Sequence, residues 1–292
     1  MKYKVGTRGS KLALAQTEEV LNLLRKEIPD AEFEIVVMKT RGDVDLKTPL
    51  YMMESKGIFE REINAAVERG EIDFAVHSMK DLPTSMELVI AAVPPRKSPY
   101  DAIVTKDGSG IAELPRGARV GTSSMRRISH LKYLRPDLEV VPIRGNVDTR
   151  LRKLENLDAV IVAEAALERL NLNVNKRRIE EMTPAAGQGA LAVVSRREMV
   201  PLLSRINDEM SFNEVMLERK VMSNLRAGCR TPIGVHADLK RRTITVSAVS
   251  RDFKRIARTT VEIKDISSAA DEAVEEFLSS GGMEILSEWR RS

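Results

Sequence analysis

Short apolar runs alternate with helical patterns along the first part of the chain. The runs that predict strands lie at residues 3–6, 33–38, 72–76 and 88–93. Apolar residues at helical spacing predict helices at about 10–26 and 57–69, and Ser10 is the expected N-cap of the first. Strands that alternate with helices indicate an α/β fold with parallel sheets covered on both faces.

The pattern breaks at Pro94-Pro95 and then starts again. Strands are predicted at residues 102–105, 119–121, 139–141 and 159–162, and helices at 124–135 and 146–154. A second break, rich in proline and glycine, covers residues 183–187. The chain between the two breaks therefore reads as a second α/β lobe.

A different pattern begins near residue 213. A helix at 213–225 precedes two alternating strands at 243–250 and 259–264, and a helix at 267–280 follows. This order is typical of a small α+β unit. The predicted domains are residues 1–95 plus 185–205 as lobe 1, 96–184 as lobe 2, and 213–292 as the α+β domain.

Composition narrows the function classes. The 292 residues are 42% apolar and 31% charged, with a net charge of +4 and 4% aromatic residues. This near balance of charges, with so few rings for base stacking, argues against a nucleic-acid partner. The start of the chain lacks a secretory pattern, no apolar run reaches the roughly 18 residues of a membrane span, and Cys229 is the only cysteine. We expect a cytoplasmic protein with no membrane partner.

Polar and cationic residues cluster where predicted strands end. Arg8 and Ser10 follow the first strand, and Ser78, Lys80 and Asp81 follow the strand at 72–76. In the second lobe, the corresponding positions are Thr122, Ser123, Ser124, Arg126, Arg127, Arg144 and Asn146. Ligands of open α/β sheets bind outside the carboxyl ends of strands. Two lobes that face each other would therefore form a cationic cleft for an anionic ligand.

Several of these residues also have ordinary structural interpretations. Cys229 could be a buried small apolar residue or, between Arg226 and Arg230, an activated thiolate. Asp81 could form a surface pair with Lys80 or act in the cleft. Arg126 and Arg127 could be a solvated helix start, although cations in a first turn oppose the helix dipole and suggest a bound anion.

Two further patterns carry less information. Gly187-Gln188-Gly189 imitates a dinucleotide-binding loop, but no strand directly precedes it, so we interpret it as a hinge or turn. The three histidines are too scattered for a metal site, and no metal is expected.

The order of motifs resembles the porphobilinogen deaminase (hydroxymethylbilane synthase) family over essentially the whole chain. The motifs that carry the resemblance are Thr7-Arg8-Gly9-Ser10, Thr40-Arg41-Gly42-Asp43, Lys56-Gly57-Ile58-Phe59, His77-Ser78-Met79-Lys80-Asp81, Thr122-Ser123-Ser124-Met125-Arg126-Arg127, Arg144-Gly145-Asn146, Gly187-Gln188-Gly189-Ala190 and Gly228-Cys229. The resemblance implies two lobes like those of solute-binding proteins with two crossovers, and a third domain that carries the cysteine. It also implies a monomer.

The same resemblance implies the chemistry. A dipyrromethane cofactor would be joined covalently to Cys229, and four porphobilinogen units would be deaminated and coupled onto it for tetrapyrrole and haem biosynthesis. Asp81 would be the catalytic residue. The implied cofactor- and substrate-binding residues are Arg8, Ser10, Gln16, Lys56, Ser78, Lys80, Thr122, Ser123, Ser124, Arg126, Arg127, Arg144, Asn146, Arg150, Arg169 and Gln188. The guanidinium fork suits a ligand whose every ring bears two carboxylates.

Some positions depart from the family pattern, and one rival function remains. Ala166, Val194, Ala227 and the Glu54-Ser55 pair replace residues that the family usually has there. We expect residues 46–56 to form a mobile lid. The rival is a non-catalytic anion receptor of the same two-lobe fold, which would need neither Cys229 nor Asp81.

Overall fold

The computed structural model describes residues 1–38, 60–227 and 231–290. Its strands, in chain order, are β1 Lys2–Arg8, β2 Glu32–Met38, β3 Phe74–Ser78, β4 Val89–Ala92, β5 Asp101–Thr105, β6 Arg119–Gly121, β7 Glu139–Val141, β8 Ala159–Ala163, β9 Lys176–Ile179, β10 Leu191–Ser195, β11 Ile233–Asp238, β12 Thr243–Val249 and β13 Ile256–Glu262.

The α-helices follow the same chain order. They are α1 Lys11–Glu27, α2 Arg61–Glu68, α3 Met125–Leu134, α4 Val147–Arg152, α5 Glu164–Arg169, α6 Val200–Leu203, α7 Glu209–Asn224, α8 Ile266–Phe277 and α9 Met283–Arg290. A short 3-10 turn, Met79–Asp81, directly follows β3. Within the described residues, no helix is both long and apolar enough to cross a bilayer.

Three sheets divide the described chain into two α/β lobes and a small α+β domain. The first sheet has the order β2-β1-β3-β10-β4, the second β7-β6-β8-β5-β9, and the third β11-β12-β13. The α/β class predicted from the sequence is confirmed. The domain boundaries 1–95 plus 185–205, 96–184 and 213–292 stay a prediction.

Both large sheets are mixed, so the prediction of parallel sheets was wrong. In the first sheet β1 runs parallel to β2 and β3, but β10 is antiparallel to β3 and β4. In the second, β6 runs parallel to its neighbours, whereas β5 is antiparallel to β8 and β9. The reason is topological. Strands β5 and β10 enter their sheets from the opposite lobe, so they are not the products of βαβ units, which favour parallel pairing.

The first sheet is buried on both faces. Phe74 and Leu21 lie in the cluster on one face, where α1 packs, and Ile63 and Met79 lie in the cluster on the other, beside α2. Each of these side chains is at most 1% exposed. Burial of one such side chain contributes about 1.5–3 kcal/mol. The loops that follow β1 and β3 therefore stand on a rigid base.

Two chain segments connect the lobes, and they lie against each other. The first crossover leaves β4, and the second returns through Gly187 and Gly189 to β10. The amide of Lys97 in the first crossover donates to the carbonyl of Gly189 in the second at 3.2 Å. Gly189 has a φ of 90°, and a Cβ there would lie 2.4 Å from the Lys97 oxygen. The close approach of the two crossovers thus requires glycine.

Helix α7 belongs to two cores at once. Val215 packs in the lobe 1 cluster, while Leu217 and Val221 pack in the core of the α+β domain. Between them, the fully buried carboxylate of Glu218 accepts from Arg96 Nη1 at 2.8 Å and from the Gly187 amide at 2.6 Å. One helix therefore joins the third domain to lobe 1 and to both crossovers.

Candidate functional site

The ends of β1 and β3 lie side by side, because these strands are parallel neighbours. Arg8 ends β1 and Ser78 ends β3. The hydroxyl of Ser78 hydrogen-bonds to the side-chain amide of Gln16 on α1, with an Oγ–Nε2 distance of 2.9 Å. These three predicted binding residues are thus brought to one edge of lobe 1.

The turn that carries Asp81 packs against the second crossover. Met79 is 1% exposed, and its amide donates to the carbonyl of Ala190 at 3.0 Å. Gly187 faces Met79 so closely that a Cβ on Gly187 would lie 2.6 Å from Met79 Cγ. The Asp81 side chain is half-buried, and within the described residues its carboxylate accepts no hydrogen bond. That carboxylate is therefore available to a ligand.

Arg126 and Arg127 begin α3 and share a buried carboxylate. Asp101 is fully buried at the start of β5, 2.7 Å from Arg126 Nη2 and 2.8 Å from Arg127 Nη2. Burial alone would raise the pKa of Asp101, but the two guanidinium groups outweigh it and hold the pKa below its usual range. The protein itself thus supplies an anion at this helix start. Contact of either arginine with a ligand stays a prediction.

Gln188 connects the two lobes through the second crossover. Its Oε1 accepts from Lys80 Nζ at 3.1 Å, and its Nε2 donates to Asp101 Oδ1 at 2.9 Å. Gln188 is 1% exposed. The interpretation of this segment as a turn fits the positive φ angles of Gly187 and Gly189, at 73° and 90°. Lys80 is therefore held at a fixed distance from the arginines of lobe 2.

Several cationic side chains lie close to one another between the lobes. Burial, and then the charge of Arg127, lower the pKa of Lys80 from 10.5 to about 8. Burial, and then the charges of Arg127 and Arg144, lower the pKa of Arg150 to about 10. Asp81 opposes the shift in both cases. An anionic ligand beside Lys80 and Arg150 would offset both the burial and the repulsion that lower their pKa values.

Arg169 reaches across from α5 to lobe 1. Its Nε donates to Glu19 on α1 at 2.9 Å, and its Nη2 donates to the Gly189 carbonyl at 3.0 Å. A small cavity beside it brings together four predicted positions and one departure from the family pattern: Gln16, Ser78, Lys80, Arg169 and Ala166. The sequence prediction of a shared site is consistent with this grouping.

The predicted hydroxyl donors also have structural partners. Ser10 and Ser124 are the N-caps of α1 and α3 and accept from backbone amides. Thr122 Oγ1 accepts from the Ser124 amide at 3.4 Å. Ser123 Oγ donates to the Ile143 carbonyl at 2.7 Å and accepts from the Ile143 amide at 2.9 Å. Ser123 therefore fixes the chain just after β7, and contact of these four residues with a ligand stays a prediction.

The residues that follow β7 form the rest of the candidate site in lobe 2. Arg150 Nε donates to the Gly145 carbonyl at 2.8 Å, so its guanidinium lies over the strand end. Asn146 is the N-cap residue of α4 and makes no side-chain capping bond there. Arg144 is half-buried next to them. The structure thus brings the lobe 2 cluster of the sequence prediction to one place.

Comparison with known proteins decides the family. The family model described as "Porphobilinogen deaminase, dipyromethane cofactor binding domain" matches residues 3–203, and "Porphobilinogen deaminase, C-terminal domain" matches residues 212–276. The chain belongs to the porphobilinogen deaminase family. The enzymes of this family are transferases, the hydroxymethylbilane synthases, and the larger match is to the domain that binds their dipyrromethane cofactor.

Relatives in the porphobilinogen deaminase family match nearly end to end. The chain is 43% identical over 275 residues to a probable porphobilinogen deaminase of Hyperthermus butylicus, covering 90% of this chain and 91% of the relative. It is 40% identical over 300 residues to a porphobilinogen deaminase of Brevibacillus brevis, covering 98% and 97%. Among solved structures, the VFT2 domain of Bordetella pertussis BvgS aligns at 18% identity and a TM-score of 0.42, over 71% of this chain and 84% of the domain.

The cleft fits the dipyrromethane cofactor of the porphobilinogen deaminase family. Lys80 and Arg150 are buried cations whose pKa values are lowered by burial and then by the charge of Arg127, and each pyrrole ring of the cofactor carries two carboxylates. Guanidinium and ammonium groups are the donors that bind carboxylates most strongly. The donor set therefore matches the chemistry of the group.

Two predicted site residues, Lys56 and Cys229, lie outside the described residues, as does the predicted lid at 46–56. Conversely, sequence reasoning missed Asp101, Glu19 and Glu218. Only Asp101 carried a signal, because a carboxylate stands directly before the apolar run at 102–105. Glu19 and Glu218 lie on helices among other acidic residues and could not be distinguished from solvated ones.

Proposed function

We propose that this chain is a hydroxymethylbilane synthase that deaminates four porphobilinogen molecules and couples them head to tail onto a dipyrromethane primer at Cys229. Hydrolysis would then release the linear product. One observation carries the proposal. The available carboxylate of Asp81 stands beside two cations, Lys80 and Arg150, whose pKa values are lowered first by burial and then by neighbouring positive charge.

Asp81 has the position of a charge-stabilising and proton-transferring group. Loss of ammonia from porphobilinogen leaves a cation on the substrate, and a nearby carboxylate stabilises that cation. The same carboxylate can accept a proton from the reacting pyrrole. The turn at 79–81 is fixed by the Ala190 carbonyl, so Asp81 needs little reorganisation to act.

The basic residues of the cleft bind carboxylates. Arg150 and Lys80 are buried cations with lowered pKa values, and a hydrogen bond to a charged group contributes about 1.5–3 kcal/mol. The set proposed to hold the cofactor and the growing chain is Arg8, Ser10, Gln16, Lys56, Ser78, Lys80, Thr122, Ser123, Ser124, Arg126, Arg127, Arg144, Asn146, Arg150, Arg169 and Gln188. When bound, the dipyrromethane supplies the pyrrole that the first substrate unit joins.

We further propose that the protein works in the cytoplasm as a monomer, without nucleic-acid or membrane partners. The single cysteine and the near balance of 47 basic and 43 acidic residues support this. Gel filtration at several protein concentrations tests the oligomeric state.

Intact-mass measurement separates the enzyme from the rival anion receptor. The purified enzyme should be heavier than its sequence by two pyrrole units, and a receptor should have the sequence mass. Cys229→Ser should remove the added mass and the activity. A serine variant that still converts porphobilinogen at the wild-type rate would show that the attachment site is elsewhere.

Variants at Asp81 test the catalytic assignment. Asp81→Asn should lower kcat by about 10²–10⁴-fold, since it removes both the charge and the proton acceptor. Asp81→Glu should retain more activity, because it keeps the charge but displaces it. Asp30→Asn, at an exposed position in the loop after α1, is the control and should be unchanged. Equal rates for Asp81→Asn and the wild type would remove Asp81 from the mechanism.

A further inference from the structure

Arg219 is a buried guanidinium whose hydrogen-bond partners are backbone carbonyls. It lies on α7 and is 8% exposed. Its Nη2 donates to the Pro83 carbonyl at 2.6 Å and its Nη1 to the Leu82 carbonyl at 3.4 Å. Burial lowers its pKa, and no carboxylate among the described residues offsets that shift. Buried charges are normally paired, so the position of this one requires an explanation.

The two carbonyls belong to the residues that directly follow Asp81. Leu82 closes the 3-10 turn, because its amide donates to the Met79 carbonyl at 3.2 Å. The turn begins at Met79, whose amide is held by the Ala190 carbonyl of the second crossover. The backbone on one side of Asp81 is therefore fixed by the second crossover, and on the other side by Arg219.

Packing of α7 against lobe 1 does not by itself require Arg219. Val215 already buries its side chain completely in the lobe 1 core. Glu218 already bonds to Arg96 and to the Gly187 amide. An apolar residue at position 219 would extend that contact without the cost of a buried charge. The guanidinium adds something that an apolar side chain lacks, namely two donors aimed at two successive carbonyls.

We propose that Arg219 is a positioning residue that fixes the turn carrying Asp81, so that a helix of the third domain sets the place of the catalytic carboxylate in lobe 1. This inference rests on the proposed role of Asp81. The planar guanidinium can hold both carbonyls at once, whereas a lysine ammonium at the same place would reach one of them less rigidly.

The proposal predicts a specific kinetic effect. A displacement of about 1 Å at a reacting group lowers a rate by about 100-fold. Lys80 shares the turn with Asp81, but its Nζ is also held by Gln188 Oε1 at 3.1 Å, and Arg150 lies on α4 in lobe 2. Loss of Arg219 should therefore lower kcat while KM stays close to the wild-type value.

The experiment compares Arg219→Met, Arg219→Lys and the control Lys220→Met. Lys220 is the adjacent residue on α7 and pairs with Asp271 at 2.7 Å on the surface. Measurements are kcat and KM with porphobilinogen, intact mass, and hydrogen exchange of the amides at 79–82. We expect Arg219→Met to lose about 100-fold in kcat, with unchanged KM and the full holoenzyme mass. Its amides should exchange faster at 79–82, Arg219→Lys should be intermediate, and Lys220→Met should match the wild type.

Several outcomes would overturn the proposal. If Arg219→Met loses stability but keeps the wild-type kcat, Arg219 is only structural. If Arg219→Met does not fold, an unchanged kcat in Arg219→Lys leads to the same conclusion. If the wild type fails to convert porphobilinogen, the proposed function fails. Arg219 is then judged by hydrogen exchange alone: unchanged rates at 79–82 in the variants reject its positioning role, and faster rates support it.

Discussion

Arg169 on α5 donates a hydrogen bond from Nε to the carboxylate of Glu19 on α1 at 2.9 Å, and this ion pair joins the two lobes. The Arg169 side chain is 3% exposed, so Glu19 pairs with a charge that is almost wholly buried. Lys97 of the first crossover adds a second cation 3.4 Å from Glu19. One carboxylate thus holds lobe 1, lobe 2 and a crossover together.

Glu19→Gln should therefore lower the free energy of unfolding. The loss should be about 1.5–3 kcal/mol, the contribution of hydrogen bonds to charged groups. Glu18→Gln is the matched control on the same helix, because its pair with Arg25 is exposed, and such pairs contribute under about 1 kcal/mol. Urea unfolding followed by circular dichroism measures both. Equal losses in the two variants would mean that the pair between the lobes contributes no more than a surface pair.

Gly187 offers a test of the contact between the second crossover and the Asp81 turn. Gly187→Ala adds a Cβ 2.6 Å from Met79 Cγ and 3.1 Å from the Lys80 amide nitrogen, at a φ of +73°. Gly117→Ala has a similar φ of +77° with nothing within 4 Å of the added atom. The control should lose about 1–2 kcal/mol from the left-handed backbone alone. Gly187→Ala should lose more and should also lose activity.

The activity of the Gly187 variant is the decisive readout. A shifted turn moves Asp81, and a displacement of about 1 Å lowers a rate by about 100-fold. Gly117→Ala should keep the wild-type kcat, since Gly117 lies in a loop away from the cleft. If both variants kept full activity, the crossover would not govern the position of the turn.

The sequence predicted local elements well where a local pattern exists. Strands β6 and β7 have the predicted bounds, and Ser10 caps α1 as expected. Strand β9 was missed, because its first three residues, Lys176, Arg177 and Arg178, are exposed and basic and lack apolar alternation. It forms because β5 pairs with it, which is a nonlocal contact.

The candidate site likewise combines features that a local sequence pattern predicts with features that depend on nonlocal contacts. Residues at strand ends could be placed together from the strand pattern alone, and in the structure Ser78 and Lys80 line one small cavity. The pairing of Arg126 and Arg127 with Asp101 could not be predicted, since it joins α3 to the far strand β5. The antiparallel entry of β5 and β10 depends on the crossovers, whose geometry no local pattern encodes.

Asp101→Asn should destabilise the protein strongly. The substitution leaves two buried guanidinium groups facing each other without their carboxylate, and breaking a buried pair costs about 3–5 kcal/mol. Asp137→Asn, which removes the partner of Arg135 near the surface, should cost under about 1 kcal/mol. Thermal and urea unfolding compare them. A small effect of Asp101→Asn would mean that the two arginines find other anions.

Lys80 gives the cleft a pH dependence whose sign follows from its pKa. Burial and Arg127 lower the pKa of Lys80 from 10.5 to about 8 in the folded chain. Between these two values the unfolded chain binds more protons at this residue than the folded chain does. The free energy of unfolding should therefore rise with pH over that interval on account of Lys80. Below about pH 8, Lys80 stays charged in the folded chain, and the free-energy cost of burying that charge is fully present.

The measurement compares Lys80 and Lys80→Met in the Cys229→Ser background, which should lack the cofactor. From pH 8 towards 10.5, the free energy of unfolding of the lysine chain should rise relative to that of the methionine chain. Only the lysine chain has a buried charge at position 80 that is lost as the residue deprotonates. The hydrogen bond from Lys80 to Gln188 adds an offset at low pH, so the slope is the readout. With Cys229 intact and the cofactor bound, its carboxylates should raise the pKa of Lys80 and flatten the slope. Equal slopes with and without the cofactor would mean that Lys80 does not face the bound group, and parallel curves for lysine and methionine would mean that its pKa is not lowered at all.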